Sequence, residues 1–498
     1  MSNIKKLAGQ TLYYGLSSIA ARFINYLLTP YLTAVLTKQD FGRMGAVYSM
    51  IPLFNIIFTY GMETAYFRFV QKKERVESIN STITISLLCS TILLFALTWF
   101  NQSSLANIAS LKEFPQLIQL SIIIIALDAL STIPFARLRN EGRPLLFAFI
   151  KIAGICINVA VTIFFVSYCG KYVAAHPQSY LTYIYNPADN PVKYILLANV
   201  LQSAFTLLLL SKWLLPKQWK FDVALWKEMM LYALPMLLAG LGGMINETFD
   251  RLMLGWWLPS TYDFDEQRGI YNACYKLSIL ITLFIQAFRM GAEPFFFKQA
   301  EGQNPQKVYA RVMKFFVIII SLMFLVVSLY IPIWKHFIAE KHWVGLGVVP
   351  VLLLANMFLG IYYNLSIWYK VSNRTTAGAY ITLIGTAITI LVNYFFIPRF
   401  SYMACAWATF FCYGSMMVVS FIWGQKEYRI PYAWKKLVAY MVIVVTLFFI
   451  HKGLLLLWAN VYFSLATATL LTWIYVWFIL LVERKEFQKL PVVGKFIK

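Results

Sequence analysis

Six cations, Arg22, Arg68, Lys151, Arg251, Lys276 and Arg289, lie inside stretches of the chain apolar enough to cross a bilayer. Five acids, Glu63, Asp128, Glu247, Asp250 and Glu293, lie there too. A charge at membrane depth costs about 2.5–3.5 kcal/mol on insertion scales, so it faces a cavity or a partner. Cations at several depths are what an anion needs to cross about 30 Å of hydrocarbon, because an uncompensated buried charge is prohibitive. Arginine suits phosphate, since its planar fork binds two oxygens at once. Arg22 falls near the middle of the first apolar stretch. Lys151 and Arg289 fall in the inner halves of theirs, Arg251 and Lys276 in the outer halves. Arg22 and Arg251 are expected to line a cavity, with Lys151, Lys276 and Arg289 as further substrate-binding candidates. The competing account is neutralisation by neighbouring helices, and Glu247 and Arg251 have the i,i+4 spacing of a pair. Glu63 and Glu293 sit near inner ends and read as structural. Asp128, mid-stretch, is a candidate for a coupling proton or Na+. Glu247 and Asp250 read as ion-coupling groups or as halves of a structural pair.

The stretch Met229–Leu258 holds the densest set. Pro235 and Gly240-Leu241-Gly242-Gly243 precede Glu247, Asp250 and Arg251. Proline removes a helix hydrogen bond and glycine weakens a helix, so a bend is expected here. A bendable charged helix suits the moving part of a transporter.

The rest of the chain must position these residues in a membrane. It has 498 residues, 60% of them hydrophobic and 13% charged, which fits a polytopic membrane protein and no soluble domain. The net charge of +22 would raise nucleic acid as a partner of a soluble protein. Here the basic residues lie in short loops and report topology instead. No cleavable signal is expected, since the stretch after Lys5 and Lys6 is too long for a signal core. The cysteines at 89, 156, 169, 274, 405 and 412 form no CxxC, so neither a disulfide framework nor a metal site is expected. The acidic run Asp263-Phe-Asp265-Glu266 reads as a solvated turn, and the four histidines fall at outer ends or in loops.

The fold class is all-α, with about fourteen transmembrane helices. They are expected at about 10–36, 43–69, 80–100, 116–137, 145–167, 192–212 and 229–257. The second seven are expected at about 270–297, 312–334, 345–369, 375–397, 402–423, 436–451 and 457–482, the thirteenth being the shortest. With the N-terminus inside, every inside segment is basic, from Lys72, Lys73 and Arg75 to the tail after Arg484. Both termini are therefore expected in the cytoplasm. Residues 167–193 read as an outer, partly ordered loop rich in Tyr, Pro and Asn. Residues 214–228, with Trp219, Phe221 and Trp226 among lysines, read as an amphipathic helix on the inner surface.

The two halves repeat. Gly61-Met62-Glu63 recurs as Gly291-Ala292-Glu293, 230 residues on. Arg139 and Arg143 correspond to Lys370 and Arg374, Gly154 to Gly385, and Arg22 to Arg251. Six helices separate the copies, so both share one orientation, as in transporters with parallel repeats. The expected organisation is an N-lobe over 1–213, the linker 214–228, a pseudo-symmetric C-lobe over 229–424, and two further helices with a tail over 425–498.

Several segments then resemble a known family. They are Pro134-Phe-Ala-Arg-Leu-Arg-Asn-Glu-Gly-Arg143, Glu247-Thr-Phe-Asp-Arg251, Tyr271-Asn-Ala-Cys-Tyr-Lys276, and Asn393-Tyr-Phe-Phe-Ile-Pro398 followed by Ala404-Cys-Ala-Trp-Ala-Thr409. In order and spacing the chain resembles polysaccharide transporters of the O-antigen flippase type. These belong to the multidrug/oligosaccharidyl-lipid/polysaccharide exporter superfamily. Cys405 and Trp407 depart from the family's Gly-Ala-Ala run. The resemblance implies translocation of an undecaprenyl-diphosphate-linked oligosaccharide from the inner to the outer leaflet of the bacterial cytoplasmic membrane, by alternating access. It implies a monomer among membrane lipids, no organic cofactor, coupling to Na+ or H+, and a polysaccharide polymerase as a candidate partner.

Two rivals remain. A multidrug or cation antiporter of the same superfamily shares the architecture but needs acidic or neutral cavities. A membrane glycosyltransferase or polymerase needs acidic outer-loop residues or a large catalytic outer loop, and Thr37–Phe41 offers only Asp40. No catalytic residue is assigned, and the protein is not expected to be an enzyme.

Overall fold

The computed structural model describes residue 20 and residues 22–70, 76–300, 302–372 and 374–488; of residues 293, 294 and 298 it describes the backbone alone. Among these residues thirteen helices are long and apolar enough to cross a bilayer. The chain is an all-α polytopic membrane protein. Of the expected first span, 10–36, residue 20 and residues 22–36 are described; residues 22–27 are helical and, after a turn at Leu28, so is α1 (Thr29–Val35). There follow α2 (Lys38–Thr59), α3 (Met62–Phe69), α4 (Val76–Phe100), α5 (Pro115–Asn140), α6 (Pro144–Ile163), α7 (Pro191–Leu209), α8 (Val223–Thr248) and α9 (Asp250–Trp257). Then come α10 (Phe264–Ala300), α11 (Pro305–Ser328), α12 (Val348–Leu365), α13 (Thr375–Phe400), α14 (Tyr402–Glu427), α15 (Trp434–Leu457) and α16 (Val461–Val482).

Local chemistry fixes the helix starts. Proline occupies the first turn of α5, α6, α7 and α11, where its missing N–H costs nothing. The side chains of Thr37, Asn190, Asp222 and Asn460 accept from the free N–H groups of the turns that follow them.

Two compact units divide the chain: residues 1–273 with 378–412, and residues 274–377 with 413–498. In the first, Met62, Ala65 and Tyr66 of α3 pack on Leu225, Met229 and Ala233 of α8. Phe135 and Leu138 of α5 meet Phe147 and Ile150 of α6 and Trp213. In the second, Phe296, Tyr309, Ile367 and Ile430 form a core. There Glu483, just past α16, receives hydrogen bonds from Lys314 Nζ (2.7 Å), Tyr440 Oη (2.6 Å) and Lys436 Nζ (3.3 Å). Burial pushes its carboxyl up, and these donors outweigh that and hold it below the usual range.

Three sequence expectations are corrected. The helix expected over 43–69 is broken at Tyr60 and Gly61, both in the left-handed region with φ of 33° and 76°. Glycine is needed here twice over. A Cβ at Gly61 would also lie 2.9 Å from the Ala233 carbonyl oxygen of α8. Gly61→Ala is therefore expected to destabilise the fold by roughly 1–3 kcal/mol. This would be read as a lowered melting temperature in detergent, with Gly243→Ala unchanged, since a Cβ there meets nothing within 4 Å. An unchanged Gly61→Ala melt would refute this account.

The amphipathic helix expected over 214–228 is absent as such. Ser211–Leu214 is one short turn, residues 215–222 are non-helical, and α8 starts at Val223. Pro216 opposes a helix. The N–H groups of Lys220 and Asp222 donate to Ser81 Oγ (2.8 Å) and Thr82 Oγ1 (3.1 Å) of α4, in place of helix carbonyls. α8 runs through Pro235 and Gly240–Gly243 without a break, and the interruption comes at Phe249. Gly242 is a packing position, with Thr386 Oγ1 of α13 donating to its carbonyl at 3.2 Å. The thirteenth expected helix, 436–451, is no short one: α15 has 24 residues.

The loop expected over 167–193 is more ordered than its composition suggests. Helix continues past α6 through a π-helical turn at Phe164–Cys169 and an α-helical turn at Gly170–Ala175. Phe164, Tyr168, Tyr172 and His176 stack along it, with successive centroids 5.6, 5.4 and 4.6 Å apart.

Candidate functional site

The first unit holds a polar cavity of about 560 Å³. Each wall is a stripe at helical spacing. On α5 it is Asp128, Ser131, Thr132, Phe135 and Arg139; on α6, Phe147, Lys151 and Ile155. Gln202, Ser203 and Thr206 come from α7, Asn55, Ile56 and Thr59 from α2, and Glu63 from α3. Arg22 and Asn25 complete it. The break at Tyr60 and Gly61 positions Glu63, since α3 starts one residue before it.

Three cations and two acids share this space. Arg139 is ion-paired with Glu63, and its guanidinium lies 4.8 Å from the Phe67 ring centroid. Lys151 Nζ lies 4.1 Å from the centroid of Phe135. Cations over aromatic faces are attracted by the ring quadrupole, most strongly where water is scarce. Asp128 accepts from Ser203 Oγ at 2.7 Å. Lys151 feels the charges of Asp128, Arg139 and Arg22, so the group is one electrostatic cluster. Cationic side chains on a polar cavity can hold an anion. The carboxylate of Asp128 can compensate Lys151 when no anion is present.

Of the residues expected from sequence, Arg22, Lys151, Asp128 and Glu63 meet at this cavity. Arg251 does not line it. Its side chain is 8% exposed and its Nη1 lies 3.1 Å from Asp250 Oδ1. Asp250 Oδ2 in turn accepts from Tyr271 Oη at 2.5 Å. Arg251 reaches Glu247 through the backbone, Nη1 donating to its carbonyl at 3.0 Å. The ion-pair partner is thus the adjacent Asp250 where the i,i+4 spacing pointed to Glu247. These bonds also satisfy the backbone where α8 gives way to α9: the Arg251 N–H donates to Asp250 Oδ1 at 2.8 Å. The Glu247 carboxylate feels Arg22 as well as Arg251, which links it to the cavity cluster.

Lys276 and Arg289 belong to the second unit. Lys276 is half-buried. Arg289 is exposed and its guanidinium lies 4.7 Å from the Tyr363 centroid. The Glu293 side chain lies outside the described residues.

Sequence alone does not mark Arg139 as a site residue, because a basic residue in the last turn of a helix also serves topology. The signal was there: it continues the stripe of Asp128, Ser131 and Phe135 along one helix face, three turns from Asp128. The polar face of α7, Gln202, Ser203 and Thr206, was also legible as a stripe in an apolar helix.

Residues 7–300 match the family described as polysaccharide biosynthesis protein. A membrane protein of Haemophilus influenzae is 21% identical over 360 residues, covering 70% of this chain and 80% of that protein. Among solved structures, the lipid II flippase MurJ in an inward closed conformation is similar, with a TM-score of 0.67 at 13% identity, covering 95% of this chain and 99% of MurJ. An inward-facing multidrug resistance MATE transporter of the MOP superfamily gives 0.61 at 14% identity, covering 84% and 94%. At these identities the likeness to MurJ and MATE is one of fold.

Proposed function

The chain belongs to the polysaccharide biosynthesis protein family, and from that premise we propose that it flips an undecaprenyl-diphosphate-linked oligosaccharide from the inner to the outer leaflet of the bacterial cytoplasmic membrane. The observation that carries this reading is the cluster of Arg22, Arg139 and Lys151 on one polar cavity. A diphosphate needs cations inside the hydrocarbon layer, and Arg22 offers the fork that binds two phosphate oxygens. The sugars need hydrogen-bonding walls, which the amide and hydroxyl side chains of α2, α5 and α7 supply. Both termini lie in the cytoplasm on this reading, and two six-helix lobes, 1–213 and 229–424, alternate access. Asp128 carries the coupling proton or Na+, freed when the diphosphate takes over Lys151. The protein works as a monomer and hands its cargo to a polysaccharide polymerase.

A second reading has one observation in its favour. Asp128 and Glu63 place carboxylates on the same cavity, as a cation antiporter requires. Purified protein in liposomes separates the two. Translocation of a fluorescent diphosphate-linked oligosaccharide, driven by a Na+ or pH gradient, is expected, with no efflux of cationic dyes from the same vesicles. Dye efflux without lipid translocation would replace the flippase with the antiporter.

A further inference from the structure

The cavity uses the last third of α2; a different set of side chains occupies the other end of the same helix. Gly42 lies about 20 Å from Asn55 along α2, at 1.5 Å per residue. There α2 meets the start of α10 without side chains between them. A Cβ at Gly42 would collide with the Asp265 carbonyl, and a Cβ at Gly269 with the Lys38 carbonyl. Small residues let helix backbones approach this closely.

Polar pairs border that contact. Lys38 Nζ donates to Glu266 Oε1 at 2.7 Å, and Gln39 Nε2 to Asp263 Oδ2 at 2.9 Å. Arg43 Nε donates to Asp265 Oδ2 at 2.9 Å. Each end is braced from behind. Asp40 holds Arg43 Nη1 at 2.9 Å and accepts from Asn190 Nδ2 at 2.6 Å. Arg268, fully buried, donates from Nη1 to Asp265 Oδ1 at 3.0 Å and from Nε to the Arg251 carbonyl at 2.7 Å. The contact is therefore two rigid polar faces meeting across a glycine seam.

A permanent interface interdigitates apolar side chains, and parting it exposes them to water. This one buries backbone and ion pairs, and water can replace each of those bonds as the helices separate. The Lys38–Glu266 pair is partly exposed, at 27% and 32%, and a pair open to water is weak enough to be broken and remade in every cycle.

We propose that residues 38–43 and 263–269 form an ionic lock, which closes one end of the translocation path while the cavity at the other end of α2 is open, and which parts once per cycle. The proposal rests on the translocation reading, and its test separates the two. A cysteine at Thr59, on the cavity wall, is placed in a cysteine-free background. An impermeant maleimide is applied to the membrane face that bears residues 259–263. Lys38→Glu and Glu266→Lys are each expected to raise labelling about five-fold, equivalent to about 1 kcal/mol. The double swap is expected to return it to the starting level. Unchanged labelling in the single variants, or a double swap that stays high, overturns the lock. Labelling needs no substrate, so it stands even if the lipid-linked cargo is wrong. A second variant, Gln39→Cys with Asp263→Cys, keeps the charged pairs. Joined by a short bifunctional thiosulfonate, it is expected to stop both labelling and export until a reductant cleaves the bridge. Full export by the bridged protein also overturns the proposal.

Discussion

Arg22→Ala and Lys151→Ala are each expected to reduce export by roughly ten- to hundred-fold, with the amount of inserted protein unchanged. The magnitude follows from a hydrogen bond to a charged group, worth about 1.5–3 kcal/mol, at tenfold per 1.4 kcal/mol. The two cations are expected to differ under conservative change. Arg22→Lys keeps the charge and loses the fork, so it remains impaired. Lys151→Arg keeps the charge and adds donors, so it retains most export, provided the larger head fits beside Phe135. Surface glycan in a flippase-deficient strain, beside a protein blot, is the measurement. Wild-type export by Arg22→Ala would remove the anion from this cavity and with it the main support for the flippase reading.

Asp250→Ala is expected to be the most destabilising single change in the first unit. It removes the carboxylate 3.1 Å from the Nη1 of a buried arginine, Arg251, 8% exposed, and also strips Tyr271 Oη and the Arg251 N–H of their acceptors. Removing one partner of a buried pair costs about 3–5 kcal/mol, whereas replacing both is often neutral. Asp250→Asn with Arg251→Gln should therefore recover most of the inserted protein. Export by that double variant then separates two roles. Normal export makes the pair a brace for the junction of α8 and α9, while lost export in a stably inserted protein gives Arg251 a part in transport. Insertion of Asp250→Ala at the normal level and melting temperature would show that water reaches Arg251.

Hydropathy made most of the spans legible, thirteen of the fourteen expected being found among the described residues, because a lipid-facing helix has no alternative partner for its backbone. The cavity was partly legible. Arg22, Lys151, Asp128 and Glu63 stood out as charges that lipid would not tolerate, and all four line it. Arg139 did not, because a basic residue near a helix end serves topology as well as it serves a site. Arg251 stood out for the same reason as Arg22, yet its neighbour Asp250 neutralises it. Spacing along an ideal helix pointed to Glu247, and the irregular turn at Phe249 brought Asp250 instead. Tertiary bonds decided residues 215–222, where the hydroxyls of Ser81 and Thr82 outcompete helix carbonyls for two N–H groups. No pattern within the segment could show that.

The π-helical turn after α6 sets a phase. Rings four residues apart on an α-helix advance about 40° beyond a full turn at each step, since a turn holds 3.6 residues. Four such rings would wind off any one face. The stack of Phe164, Tyr168, Tyr172 and His176 keeps interplanar angles of 21–23°, because the wider turn at Phe164–Cys169 absorbs part of the drift before the α-helical turn restores it. Loss of Cys169 alone would thus act at a distance: it would rotate Tyr172 and His176 out of alignment with Phe164 and Tyr168, without removing any of the four rings.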